Sequence, residues 1–502
     1  MDKLIRIIDS LTGSEIRYFQ MNAQQNSTES RKQNAYVILF NSLLNKDEST
    51  RLKALSESAS TQKGYLYEKI LASMVKWEIK RSEYFLAREK LLMVKVLLGK
   101  NLEKDALHLL QSLKRQAEKR QDFVLLFEIF EIYFHRKLIG KHDPYYTELF
   151  QAQSEIIDKF RAQKTQENLY NQIYDLHLSR SVAGRTESNF HNDITFFKNH
   201  NELKPIQSFD NFKTIYFNYW SLSLIEYYSH GATKKLAEIT KKRVELFKSE
   251  PHWKKYHQGL YIIAISNYLS TIQTLGWKKR QDQVLKGVLM DHELMRETNL
   301  QELHLLTLNF LKSISFFGGL DQKDDYLNFI KERLAKLDII HSDEYLIIMH
   351  YELAYVYFIY ERDHEALKHI SIVLNIGFHS KFQERQIMTR FLKIIIFIRK
   401  EDRTYALSLI HETKSFAKKI KHYNDYEKSI LLWLTKKANI ASRMEREFHT
   451  SLIEELIGKK KVFERMRYYF DFELWNTSES LDLAMFELIE KTGDKKSDAE
   501  NS

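Results

Sequence analysis

Apolar residues return at three- and four-residue intervals along most of the chain, the spacing of one buried helix face. Leu4, Ile7, Ile8 and Leu11 open the pattern, and Thr12-Gly13-Ser14 interrupts it. Ser14 can cap a second short helix carrying Ile16, Tyr18 and Phe19. The polar run 23–34 reads as a loop, and Tyr36, Leu39, Phe40, Leu43 and Leu44 mark the next helix. From residue 63 helices are predicted in pairs: 64–81 and 83–98, ended by Gly99-Lys100-Asn101, then 103–119 and 122–138. Asp143-Pro144 is a helix start, with one helix to about 162 and a second to about 180.

The stretch 181–211 changes character. It holds Gly184, Pro205 and many Asn, His and Ser, with room for one short helix around 190–199. Pairing resumes with 212–229 and 232–248, then 251–275 ended by Gly276, 280–297, 301–317, 324–337, 344–376, 383–399 and 403–420. Helices 424–442, 444–458, 460–475 and 479–491 complete it. The expected organisation is therefore an N-terminal helical cap over 1–62, N-terminal repeats over 63–180, a connection over 181–211, C-terminal repeats over 212–491 and a disordered tail over 492–502.

Composition sharpens this picture. Only 14 Gly and 3 Pro interrupt 502 residues, which favours long helices and short turns. A hydrophobic content of 43% with 29% charged residues suits a folded chain. The absence of Cys excludes disulfides, zinc ribbons, Fe–S clusters and a thiol nucleophile within this chain. Charges at Asp2, Lys3, Arg6 and Asp9 argue against a secretory signal. The most apolar run, 391–398, is broken by Lys393 and is too short to span a bilayer. A cytoplasmic protein with no membrane partner is expected.

Residues 344–377 carry the clearest unit. A first helix presents Leu353, Ala354 and Tyr357, a turn follows at Glu361-Arg362-Asp363, and a second helix presents Ala366, Ile370 and Val373. Small Ala at 354 and 366 lets two backbones approach, and the larger residues fill the space around them. This pattern resembles the tetratricopeptide repeat (TPR), with His350 where that family usually has a large aromatic and Phe378 where it often has Pro. Ala406 follows Ala366 by 40 positions, longer than the repeat of about 34 residues in that family. The opening, SLTGSEIRYF then YVILFNSLL, resembles that of some uncharacterised bacterial helical-repeat proteins. One such unit cannot bury its own apolar face, so stacked neighbours are implied. The resemblance implies an all-α, right-handed TPR-like solenoid of antiparallel helix pairs with an atypical N-terminal cap.

Candidate chemistry is sparse. His364 and His369 on one predicted helix are five apart, about 140° around it, whereas a zinc-protease helix needs four. They read as two surface histidines. Asp321, Asp324 and Asp325 fit a helix start better than a calcium loop. Gly99-Lys100 and Gly458-Lys459-Lys460-Lys461 lack the strand and second Gly of a phosphate loop. No catalytic residue, metal or cofactor is predicted.

The net charge of +10 permits acidic partners. Lys234, Lys235, Lys241, Lys242, Arg243 and Lys248 share one predicted helix, which with the 13% aromatic content keeps nucleic-acid binding open as an alternative. In TPR proteins the first helix of each pair usually lines a concave groove. The corresponding positions here, Tyr351 and Tyr355 and then Phe391 and Ile395, cannot neutralise a carboxylate. They are either ordinary core or an aromatic groove suited to an amphipathic helix or apolar peptide. The expected function is a protein-interaction scaffold or adaptor. A regulatory sensor that responds to a peptide is a further alternative.

Overall fold

The computed structural model describes residues 3–11, 13–25, 35–44, 47–135, 144–183, 187–204, 211–249, 251–291, 294, 300–317, 343–379, 382–418, 425–439, 470–481 and 483–489. Among these, every regular element is a helix. The expected helices at 324–337 and 444–458, the Asp321–Asp325 cluster and the tail lie outside the described residues.

The chain divides into two compact units, 1–165 with 209–214 and 166–208 with 215–502. The first contains α1 (Lys3–Ser10), α2 (Gly13–Gln25), α3 (Ala35–Leu44), α4 (Glu48–Glu57), α5 (Ser60–Arg81), α6 (Glu83–Gly99), α7 (Glu103–Arg120) and α8 (Phe123–His135). Leu4, Ile8, Phe19, Phe40, Leu66 and Ile70 make one core, and Leu91, Val94, Leu110, Leu113, Ile129 and Phe130 a second.

One helix, α9 (Pro144–Ala183), runs for 40 residues. The sequence predicts two helices here, parted near 162. The stretch 160–168, FRAQKTQEN, contains neither Gly nor Pro, so nothing stops the first helix. The short helix expected around 190–199 is α10 (Glu187–Lys198).

The second unit continues with α11 (Phe212–His230), whose first three residues belong to the first unit, α12 (Lys234–Ser249), α13 (Pro251–Tyr256), α14 (Gln258–Thr274) and α15 (Lys278–Leu289). Then follow α16 (Leu300–Phe317), α17 (Asp343–Ile359), α18 (Asp363–Asn375), α19 (Gln383–Arg399), α20 (Arg403–Ala417), α21 (Asp425–Asn439) and α22 (Phe472–Leu481). Helices α14, α16, α17, α19 and α21 pack side by side in succession, and α15, α18 and α20 pack against them in a repeat-like manner. In the α17–α18 pair Ala354, Ala366, Ile370 and Val373 are fully buried, as the small-large spacing predicts.

Five inter-helix turns share one backbone design. Asn101, Gln121, Gly276, Glu361 and Glu401 all take positive φ, between 51° and 77°. The following N–H then reaches back five residues: Leu102 to Leu97, Asp122 to Ala117, Trp277 to Ile272, Arg362 to Tyr357 and Asp402 to Phe397, at 2.9 to 3.0 Å. Each bond satisfies a carbonyl that the helix end leaves open. Only the turn at Gly276 announces itself by composition. At the first turn the expected stop, Gly99-Lys100-Asn101, is where the helix ends: Gly99 is its last residue and Asn101 carries the left-handed conformation.

Candidate helix-binding face

Helix α17 is apolar nearly all round, and such a helix must be covered on all sides. Tyr351, Tyr355, Phe391 and Ile395 are accordingly core residues, none more than 6% exposed. The structure brings all four into one apolar cluster, and none presents surface to a ligand from outside.

What covers this face is the chain itself. Phe470 lies 5.5 Å from the ring of Tyr355 and 5.7 Å from that of Phe358. Phe472 meets Phe391 at 6.4 Å. Trp475 stands edge-on to Trp433 of α21 at 4.8 Å. Farther along, Phe486 stacks on Tyr360 at 5.3 Å. Helix α22 and the residues flanking it therefore cover the side of α17, α19 and α21 that the sequence leaves open as either core or aromatic groove.

Polar groups fix its position. The backbone N–H of Asp471 donates to the Tyr355 hydroxyl at 3.2 Å, and the Asp471 carboxylate caps α22 by accepting from Leu474 N–H at 3.0 Å. Lys437 pairs with Glu479 at 2.5 Å, and the Trp475 indole N–H donates to the same carboxylate at 3.1 Å. The Lys437 ammonium also lies over Trp475, 4.9 Å from the ring centroid. Aromatic anchors, one backbone contact and one half-buried charge pair are the elements of helix-in-groove recognition. The sequence reading missed Phe470, Phe472, Trp475, Glu479 and Lys437. The F-x-F-x-x-W spacing over 470–475 was the available signal.

Beside this face runs a polar line. Glu352 of α17 sits between Lys312 of α16 (3.2 Å) and Arg385 of α19 (3.6 Å). The Lys312 carbonyl accepts from the Gln273 side chain of α14 at 3.1 Å. Burial, with Arg385 nearby, lowers the pKa of His304 to about 4. The buried carboxylate ties three successive helices together.

Two histidine and arginine expectations change. His364 is exposed, but His369 is tucked against His350, with Nδ1 atoms 2.8 Å apart, and stacks on Tyr357. Burial, with His350 beside it, lowers the pKa of His369 to about 4. Arg243 leaves the basic face of α12 altogether. It is fully buried over Trp220 and Tyr216, 4.6 and 5.1 Å from their centroids, and burial lowers its pKa. Lys235 and Lys241 of the same helix pair with Glu226 and Glu245.

Among the described residues, no group of three His, Asp or Glu side chains could hold a metal ion, and no helix is long and apolar enough to cross a membrane. Compared with family models, curated proteins and solved structures, the chain matches none.

Proposed function

We propose that this chain is a non-catalytic, TPR-like α-solenoid of bacterial type that works in the cytoplasm as an interaction scaffold. Its binding face is the side of α17, α19 and α21, and its ligand is an amphipathic helix with aromatic anchors and an acidic residue. The observation that supports this is α22 itself. Its seat combines Tyr355, Phe391 and Trp433 with a lysine, Lys437, that takes the ligand carboxylate. A partner helix of the same chemistry would compete with α22 for this seat.

The test is a fluorescence-polarisation titration with a labelled peptide spanning 470–489. The full chain carrying Phe472→Ser and Trp475→Ser, with its own helix loosened, should bind the peptide more tightly than wild type. Binding should change little with salt, since the contacts are mainly apolar. No binding by the loosened chain would contradict the reading and leave α22 as ordinary core.

The self-occupied face also favours the sensor reading over nucleic-acid binding, because displacement of α22 supplies a two-state element. Nucleic-acid binding through α12 has less support, since Arg243 is turned inward and Lys235 and Lys241 are already paired.

A further inference from the structure

Helix α6 in the first unit is amphipathic the wrong way for a helix with water on its outer side. Ala87, Leu91, Val94 and Leu98 face the core. On the opposite side Phe85, Leu92 and Val96 are 44%, 62% and 62% exposed, and Met93 beside them is also exposed. At 100° per residue Phe85, Leu92 and Val96 fall within about 40° of one another, a continuous stripe rather than scattered surface residues. An apolar stripe on one helix marks a packing surface.

Charge tells what packs there. Glu89 lies on the same stripe toward the start of α6, and Lys100 continues it at the end. Neither has an ion-pair partner among the described residues, whereas neighbouring Arg88 pairs with Asp122 and Lys95 with Glu128. Just beyond, at the start of the next helix, Leu102 is exposed. The stripe thus reads apolar, acidic, apolar, basic, apolar. That order is self-complementary when reversed.

We propose that the α6 face is the contact surface of a two-fold dimer, with a second copy of this chain as its occupant. With two α6 helices antiparallel about an axis midway between Leu92 and Val96 on the exposed side, Leu92 of each copy meets Val96 of the other. Glu89 then comes beside Lys100 of the second copy, and Phe85 beside its Leu102. A two-fold interface repeats each contact, so both Glu–Lys pairs form together. One helix face per copy is a small interface, so the dimer exchanges with monomer rather than being obligate. This surface is independent of the α22 seat.

Sedimentation velocity on the full chain, run from low to high micromolar concentration, tests the proposal. The mass of wild type should rise from that of one chain toward that of two. Leu92→Glu with Val96→Glu should stay monomeric with unchanged circular dichroism. Glu89→Lys should weaken the dimer about tenfold, through two like-charge contacts. Combining Glu89→Lys with Lys100→Glu should restore it, which a merely sticky surface would not do. A wild type monomeric throughout, a Leu92→Glu/Val96→Glu variant that dimerises like wild type, or a charge reversal that fails to restore association would each overturn the proposal.

Discussion

The Tyr355 hydroxyl accepts a hydrogen bond from the backbone N–H of Asp471, 116 positions farther along the chain. This bond holds the start of α22 against α17, where Phe470 and Phe472 enter the aromatic cluster. Tyr355→Phe keeps the ring and removes the acceptor. It should cost about 1 kcal/mol in urea unfolding. Trp475→Ala removes one of the largest buried side chains and should cost roughly 3–5 kcal/mol. Equal losses from the two variants would show that the hydrogen bond, not ring burial, holds the helix.

Glu352 pairs with both Lys312 and Arg385. Glu352→Gln preserves shape but removes the charge that Lys312 and Arg385 share. A loss of about 3 kcal/mol is expected, since removing one member of a buried ion pair costs far more than a surface pair contributes. A change below about 1 kcal/mol, the range of a surface pair, would mean that water reaches both cations.

Glu401 holds φ at 59° in a turn shared with four other helix ends. A non-glycine residue strains there because its Cβ crowds the following carbonyl. Glu401→Gly should therefore stabilise the chain by about 1 kcal/mol, read as a higher urea midpoint. A lower midpoint would show that the Glu401 side chain contributes more than its backbone strain removes.

His304 and His369 both have pKa values lowered to about 4, chiefly by burial. The fold favours their neutral forms. Their contribution is complete above the ordinary histidine pKa of 6.5, and it is lost as pH falls from there toward 4, because the unfolded chain takes up protons that the fold refuses. Urea midpoints should drop between pH 7 and pH 5. The double variant His304→Gln/His369→Gln should show a shallower drop. An equally steep drop would assign the pH dependence to other groups.

The local rules were the legible ones. Ala354, Ala366, Ile370 and Val373 are buried as their spacing predicts, because small-large packing within one helix pair is set by neighbours in sequence. The turns were legible in position but not in conformation, since Gln121, Glu361 and Glu401 adopt a glycine-like backbone that their side chains do not advertise. Helix α9 outran its expected end because its middle holds no breaking residue. The four candidate site residues share one buried cluster, and what lies against it depends on Phe470, Phe472 and Trp475, far along the chain. The periodicity of α17 alone does not distinguish a groove from its own filling.

The exchange of α22 with a helix of the same kind is the claim that most needs measuring. Hydrogen–deuterium exchange over Phe472–Leu481 in the full wild-type chain, with and without saturating 470–489 peptide, tests it most directly. The peptide should speed exchange in the chain's own α22 while Gln383–Arg399 stays protected, because one helix replaces another on the same face. Unchanged protection of α22 at saturating peptide would contradict it and make that helix a permanent part of the core.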